Sequence, residues 1–175
     1  MAHGESFKVA LVGLPNVGKS SLFTRLTGVG VISSNYPGTT VEFDEGVVTR
    51  NGKTVSVHDL PGTYCISGNS DDERVVLRDL AEGHNDSVIL VADATNLVNS
   101  LVLCFEALEL GLPTIIALTK IDEARKKFKI DVGALSSILG VPVMPVSAKT
   151  SEGVDALADA VCEGRARSSG YRVEY

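Results

Sequence analysis

Residues 13–20 read Gly13-Leu14-Pro15-Asn16-Val17-Gly18-Lys19-Ser20, the spacing G-x-x-x-x-G-K-S. Glycines at both ends permit tight turns, so successive backbone N–H groups converge on one concavity that suits phosphate oxygens. In such a loop the lysine, here Lys19, reaches the β- and γ-phosphates, and the hydroxyl, here Ser20, ligates Mg²⁺. Val17 and Ser21 complete the expected nucleotide contacts.

Asp59-Leu60-Pro61-Gly62 gives D-x-x-G. An aspartate at a strand end can hold Mg²⁺ through water, and Gly62 lets its N–H approach a γ-phosphate. Losing that phosphate would release the loop. Between these motifs lies Tyr36-Pro37-Gly38-Thr39-Thr40-Val41-Glu42. A threonine there can add a hydroxyl to Mg²⁺ and an N–H to the γ-phosphate; Thr40 is assigned, with Thr39 as its rival. Two more motifs suit a base. Thr119-Lys120-Ile121-Asp122 offers a carboxylate to guanine N1–H and N2–H₂, which adenine lacks. In Ser147-Ala148-Lys149 the Ala148 N–H suits guanine O6, and Lys120 can lie along the base plane.

These residues need a scaffold that gathers strand ends. Apolar runs alternate with helical patterns, the signature of an α/β domain with a mainly parallel sheet. Strands are expected at 7–12, 43–49, 54–58, 87–92, 114–118 and 141–146. Asn51-Gly52 marks a hairpin between the second and third. Helices are expected at 19–27, 72–81, 97–110, 131–139 and 152–162, the third capped by Asn96. Residues 29–41 read as a long functional loop, and 166–175 as a polar tail after a domain spanning 1–165.

The chain has 175 residues and a formal net charge of −6. That suits one domain with a real core and argues against nucleic-acid binding by bulk positive charge. No apolar run approaches the ~18 residues of a membrane span. Cys65, Cys104 and Cys162 are odd in number and lack a CxxC spacing, against a disulfide scaffold or a zinc site. His58 and the basic run 125–129 read as packing and solvated surface.

The five motifs in order resemble the Ras-like small GTPase domains of the TRAFAC type. More narrowly, the chain resembles the N-terminal cytosolic G domain of the bacterial ferrous iron transporters of the FeoB family. The resemblance lies in Asn35-Tyr36-Pro37-Gly38-Thr39-Thr40-Val41-Glu42, Asp59-Leu60-Pro61-Gly62-Thr63-Tyr64, Asp122-Glu123-Ala124 and the run 139–148. It implies a P-loop fold with a six-stranded, mostly parallel sheet, one strand antiparallel, and about five helices. It implies GTP hydrolysis to GDP and phosphate with Mg²⁺ at Ser20, Thr40 and Asp59. It implies K⁺ at Asn16, and catalysis by Lys19, Asn16, Thr40 and Gly62. The nucleotide site is then Gly13, Asn16, Val17, Gly18, Lys19, Ser20, Ser21, Thr39, Thr40, Asp59, Gly62, Thr119, Lys120, Asp122, Ser147, Ala148 and Lys149. The expected role is regulating Fe²⁺ transport from the cytoplasmic side of the inner membrane, partnered with the membrane-embedded region of the same parent chain.

Two departures stand out. Thr63 follows Gly62 where Ras-like GTPases place a water-orienting glutamine, which the FeoB family also lacks, and Thr119 stands where most of them have asparagine. The second predicts a weakened preference for GTP, with ATP accepted. The rival readings are a nucleotide-occupied switch with negligible hydrolysis and a ribosome- or tRNA-associated GTPase.

Overall fold

A seven-stranded sheet in the order β2-β3-β4-β1-β5-β6-β7 organises the computed structural model, which describes residues 6–28 and 30–170. The strands are β1 Phe7–Gly13, β2 Ile32–Asn35, β3 Glu42–Arg50, β4 Lys53–Asp59, β5 Ser87–Asp93, β6 Thr114–Thr119 and β7 Val143–Pro145. The α-helices are α1 Lys19–Thr27, α2 Asp71–Ala81, α3 Leu97–Glu109, α4 Ile121–Ala124, α5 Val132–Leu139 and α6 Val154–Cys162, with a 3₁₀ turn at Ala94–Asn96.

The central strands β1, β5 and β6 are mostly apolar because both sheet faces are covered. Along β1, Ala10 and Val12 join a core cluster with Val76 and Leu80 of α2 and Leu103 and Leu108 of α3. The alternate residues Val9 and Leu11 join a second cluster with Leu22 and Phe23 of α1 and Leu157 and Val161 of α6. The same alternation separates Val88, Leu90 and Ala92 from Ile89 and Val91 along β5. β1 pairs in parallel with both β4 and β5. Its outgoing helix α1 packs on one face, and α3, which follows β5, packs on the other. The carboxyl ends of β1 and β5 therefore form a topological switch point, where such sheets open a crevice.

The α/β architecture and the antiparallel β3 are as expected, while among the described residues the strand count rises from six to seven and the α-helix count from five to six. The added strand β2 lies inside the segment expected as a loop. All four of its residues are exposed, so it carries no hydrophobic pattern, and backbone pairing with β3 makes it a strand. The added helix α4 is a short turn after Lys120. Asn96 does not cap α3 with its side chain; it accepts instead from Asn99 Nδ2 at 3.0 Å. The Asp93 carboxylate caps the preceding 3₁₀ turn through Thr95 N–H, so the chain is already turning when α3 begins. Arg167, expected in the polar tail, bridges back to Thr114 through two backbone hydrogen bonds of 2.8 and 3.1 Å. Among the described residues, no helix is long and apolar enough to cross a membrane.

Candidate functional site

Gly13 ends β1 beside Val91 of β5, where an added Cβ would sit 3.0 Å from Val91 O. The loop then takes two left-handed residues, Asn16 at φ 63° and Gly18 at φ 85°. Such turns aim neighbouring N–H groups to one side. Helix α1 starts at once with Lys19, without a side-chain cap or an acidic residue in its first turn. Its orphan N–H groups and positive dipole end remain open to an anion. The resulting cleft, about 350 Å³, is lined by Leu14, Pro15, Asn16, Gly18, Lys19, Ser20, Ser21 and Gly62. A larger cleft of about 540 Å³ lies by Phe7, Val55 and Cys162, at the other end of β1 and β4. Volume alone would pass over the P-loop, because the nest lies at the smaller cleft.

Lys19 is buried and donates to the Asp59 carboxylate and, at 2.5 Å, to Leu60 O. Burial pushes the Asp59 carboxyl above its ordinary 3.8; Lys19 opposes this, and the carboxylate of Asp44 adds to it. Asp44 lies opposite Asp59 across the β3–β4 ladder. A desolvated carboxylate beside a second one has unmet demand for positive charge. With the Ser20 hydroxyl on the neighbouring first turn of α1, it is the oxygen donor set that Mg²⁺ prefers. Gly62 is packed so closely on the P-loop that an added Cβ would lie 3.0 Å from Pro15 Cα.

Thr63 is 2% exposed, donates its N–H to Gly13 O at 3.1 Å and spends its hydroxyl on Cys65 O at 2.7 Å. It closes the second motif against the first and does not present a side chain to the cleft. His58 packs on Phe43 with ring centroids 5.5 Å apart. Its Nε2 lies 3.6 Å from Glu45 Oε1, beyond hydrogen-bond range, and so stays a buried nitrogen without a partner.

The structure does not bring Thr39 and Thr40 to the P-loop cleft. They line a separate cleft of about 540 Å³ with Gly38, Val41 and the α2 residues Asp71, Arg74, Val75 and Arg78. Tyr36 anchors this loop. It is buried, edge-on to Phe43 at 6.2 Å, and burial, then Asp79 on α2 and Glu82 just after it, push its hydroxyl pKa up. The Tyr36 backbone pairs with Val41, while the Thr39 hydroxyl donates to Tyr36 O at 2.9 Å and accepts from Val41 N–H at 3.1 Å. Thr39 is thereby committed to its own turn, and Thr40 is exposed.

The base-facing motifs sit at the ends of β6 and β7. Thr119 is buried and donates to Val17 O at 2.6 Å, with Ala92 O 3.1 Å away. Lys120, left-handed at φ 54°, reaches back to Asn16 O at 3.2 Å and Asp93 Oδ2 at 2.7 Å. The Ser147 hydroxyl, helped by the N–H groups of Asp122 and Glu123 and by Lys149, holds the Asp122 carboxyl below its ordinary range. Asp122, Ser147 and Lys149 are thus gathered on one rim, and Ala148 adjoins them in the chain. Asp93 and Leu60 O are contributors that motif reading missed. A lone acid closing an otherwise apolar strand was the available signal for Asp93; a backbone carbonyl leaves none.

A phosphate nest at the switch point, a lysine shared with a strand-end carboxylate and the Asp122, Ser147 and Lys149 rim after β6 and β7 define a Ras-like, P-loop G domain. The family model described as ferrous iron transport protein B matches residues 7–161. The chain therefore belongs to the FeoB family of ferrous iron transport proteins. The chain is 40% identical over 172 residues to the Fe(2+) transporter FeoB of Salmonella typhimurium, covering 95% of this chain and 22% of that protein. The chain thus spans about a fifth of such relatives. Among solved structures, it resembles the cytosolic domain of T. maritima FeoB in its GMPPNP form, with 44% identity and TM-score 0.92, covering 97% of this chain and 68% of that one. It also resembles the isolated G domain of T. maritima FeoB, with 46% identity and TM-score 0.85, covering 91% and 99% respectively.

Proposed function

We propose that this chain binds GTP and hydrolyses it to GDP and phosphate, and that the cycle regulates Fe²⁺ transport. The transporting partner is the membrane-embedded region of the same parent chain, at the cytoplasmic face of the inner membrane. The observation that carries the reading is the nest of residues 13–20 with Lys19 held beside Asp59. Relatives captured in GMPPNP and GDP forms support it.

Lys19 exchanges its bonds to Asp59 and Leu60 O for phosphate oxygens. Gly13, Asn16, Val17, Gly18 and Ser21 present backbone or polar groups to the phosphates. Ser20 and Asp59 hold Mg²⁺, which supplies charge neutralisation on the transferred phosphoryl group. Thr40 joins them once the loop leaves α2, and Thr39 keeps the turn. Gly62 brings its N–H to the γ-phosphate, and Asn16 holds K⁺. Asp122, Lys120, Ser147, Ala148 and Lys149 receive the base. Because the Thr119 hydroxyl is spent on Val17 O, no side chain at this position reaches the base, and the preference for GTP over ATP is weakened.

Phosphate release from GTP and from ATP, with and without K⁺, tests this against Lys19→Ala. Activity equal to that variant overturns hydrolysis, and a large GTP preference overturns relaxed specificity. The Thr63 bond to Cys65 O favours a second reading, a slow switch governed by which nucleotide is bound. Phosphate release no faster than nucleotide dissociation would support it.

A further inference from the structure

Asp93 is buried at the end of β5 and belongs to none of the five motifs. Its Oδ2 accepts from Lys120 Nζ at 2.7 Å, while its Oδ1 accepts from the Thr95 N–H and hydroxyl at 2.8 and 2.6 Å. Its own N–H donates to Ser100 Oγ at 3.0 Å. Both oxygens are therefore fixed, one by the 3₁₀ turn and the other by the lysine. Burial alone would raise this carboxyl, but the bonds from Lys120 and Thr95 outweigh it and lower its pKa.

The same ammonium donates to Asn16 O at 3.2 Å. A trans peptide is planar, so its carbonyl and the following N–H point in opposite directions. Pinning Asn16 O therefore also fixes the direction of the Val17 N–H, which shares its peptide plane. Lys120 is a long, flexible side chain, and one backbone carbonyl would not hold it in a single pose. The buried carboxylate supplies the second point.

The geometry points to Asp93 as a positioning residue for nucleotide binding, aiming Lys120 at Asn16 O and thereby setting the Val17 N–H as a phosphate donor. This rests on the nucleotide-binding reading above. The role differs from capping the 3₁₀ turn, because the two tasks fall on different oxygens.

The test compares wild type, Asp93→Asn, Lys120→Met, their combination, and Thr95→Ala. Affinity for a fluorescent GDP is titrated, thermal melting is followed by circular dichroism, and the backbone order of the Val17 amide is read by ¹⁵N relaxation in the nucleotide-free protein. Asp93→Asn is expected to weaken GDP about tenfold, the loss of one well-aimed bond to a charged group. In the Lys120→Met background it should add nothing. The Val17 order parameter should fall below the rigid-backbone level of about 0.85 in both single variants. Thr95→Ala, which removes only the hydroxyl bond to Asp93 Oδ1 and keeps the capping N–H, should lower melting and leave GDP affinity in place.

Equal weakening by Asp93→Asn in both backgrounds, or weakening by Thr95→Ala as large as by Asp93→Asn, overturns the proposal. If Asp93→Asn does not fold, Lys120→Met decides through Val17, and unchanged order there overturns it. Failure of the wild type to bind GDP would sink the nucleotide reading alone, since the relaxation measurement needs no nucleotide.

Discussion

Replacing Thr119 by valine tests whether a single hydroxyl holds the P-loop from behind. Valine keeps the branched shape and strand preference of threonine, so the change removes one donor and little packing. The donor serves Val17 O at 2.6 Å, and Ala92 O is 3.1 Å away. One hydrogen satisfies one of these at a time, so a single bond is lost. Leaving a buried acceptor without its donor costs about 2 kcal/mol, a fall in melting temperature of about 4–8 °C for a domain of this size. The second effect is directional. The Val17 carbonyl and the Gly18 N–H share one peptide plane, so freeing the carbonyl misaims a donor in the nest. If half the worth of a charged-acceptor bond is lost, GDP binds about tenfold more weakly. Calorimetric melting and fluorescent-GDP titration read the two effects, and Thr119→Ser, which keeps the hydroxyl, should retain affinity. If valine at this position melts within about 1 °C of wild type and binds GDP as tightly, the hydroxyl is a bystander and the brace argument fails.

Other perturbations have equally definite outcomes. A Cβ built on Gly153, at φ 72°, would land on Pro145 O, whereas one on Gly46 meets the Thr27 side chain at 2.7 Å. Gly153→Ala should therefore cost about 3–5 kcal/mol in urea unfolding, more than Gly46→Ala, where the contact is longer and the backbone is not left-handed; the reverse order would contradict the packing. Gly62→Ala pushes on the Pro15 backbone at 3.0 Å. Phosphate release should drop while GDP binding persists, and a loss of both together would refute a selective role at the γ-phosphate. Asp59 binds its proton more tightly in the folded state than its ordinary 3.8, so its contribution to stability is full below that value and is lost as pH rises through the folded pKa. Asp93 has the opposite sign: its contribution is present above 3.8 and is lost as pH falls through a lower folded pKa. On acidification, Mg²⁺-dependent phosphate release should therefore decline before the fold does, because protons compete at Asp59 first. Parallel decline of turnover and circular dichroism would count against this.

The legible parts of the molecule were those where one local rule suffices. Helix α1 begins and ends where expected because the P-loop forces its start and Gly28 supplies its stop. Asn51 and Gly52 both take positive φ, 51° and 76°, as their tight hairpin requires. The P-loop and Asp59 met because a parallel sheet brings strand ends together. The illegible parts depend on partners distant in the chain. β2 has no periodic pattern and exists through pairing with β3. Asn96 had the right type for a cap, but Asp93 had already started the turn. The place of Thr40 is set by Tyr36 packing near α2 and β3, which no motif encodes.

The Tyr36 anchor also shapes how the loop can work as a latch. With Tyr36 fixed and β3 beginning at Glu42, only residues 37–41 need rearrange for Thr40 to travel. Ordering each residue costs about 1–2 kcal/mol, so a free segment of 32–41 would ask roughly twice the entropy of this shorter one. If Thr40 takes the Mg²⁺-facing seat proposed above, the anchor makes the segment a tether of set length with two seats instead of a chain searching space.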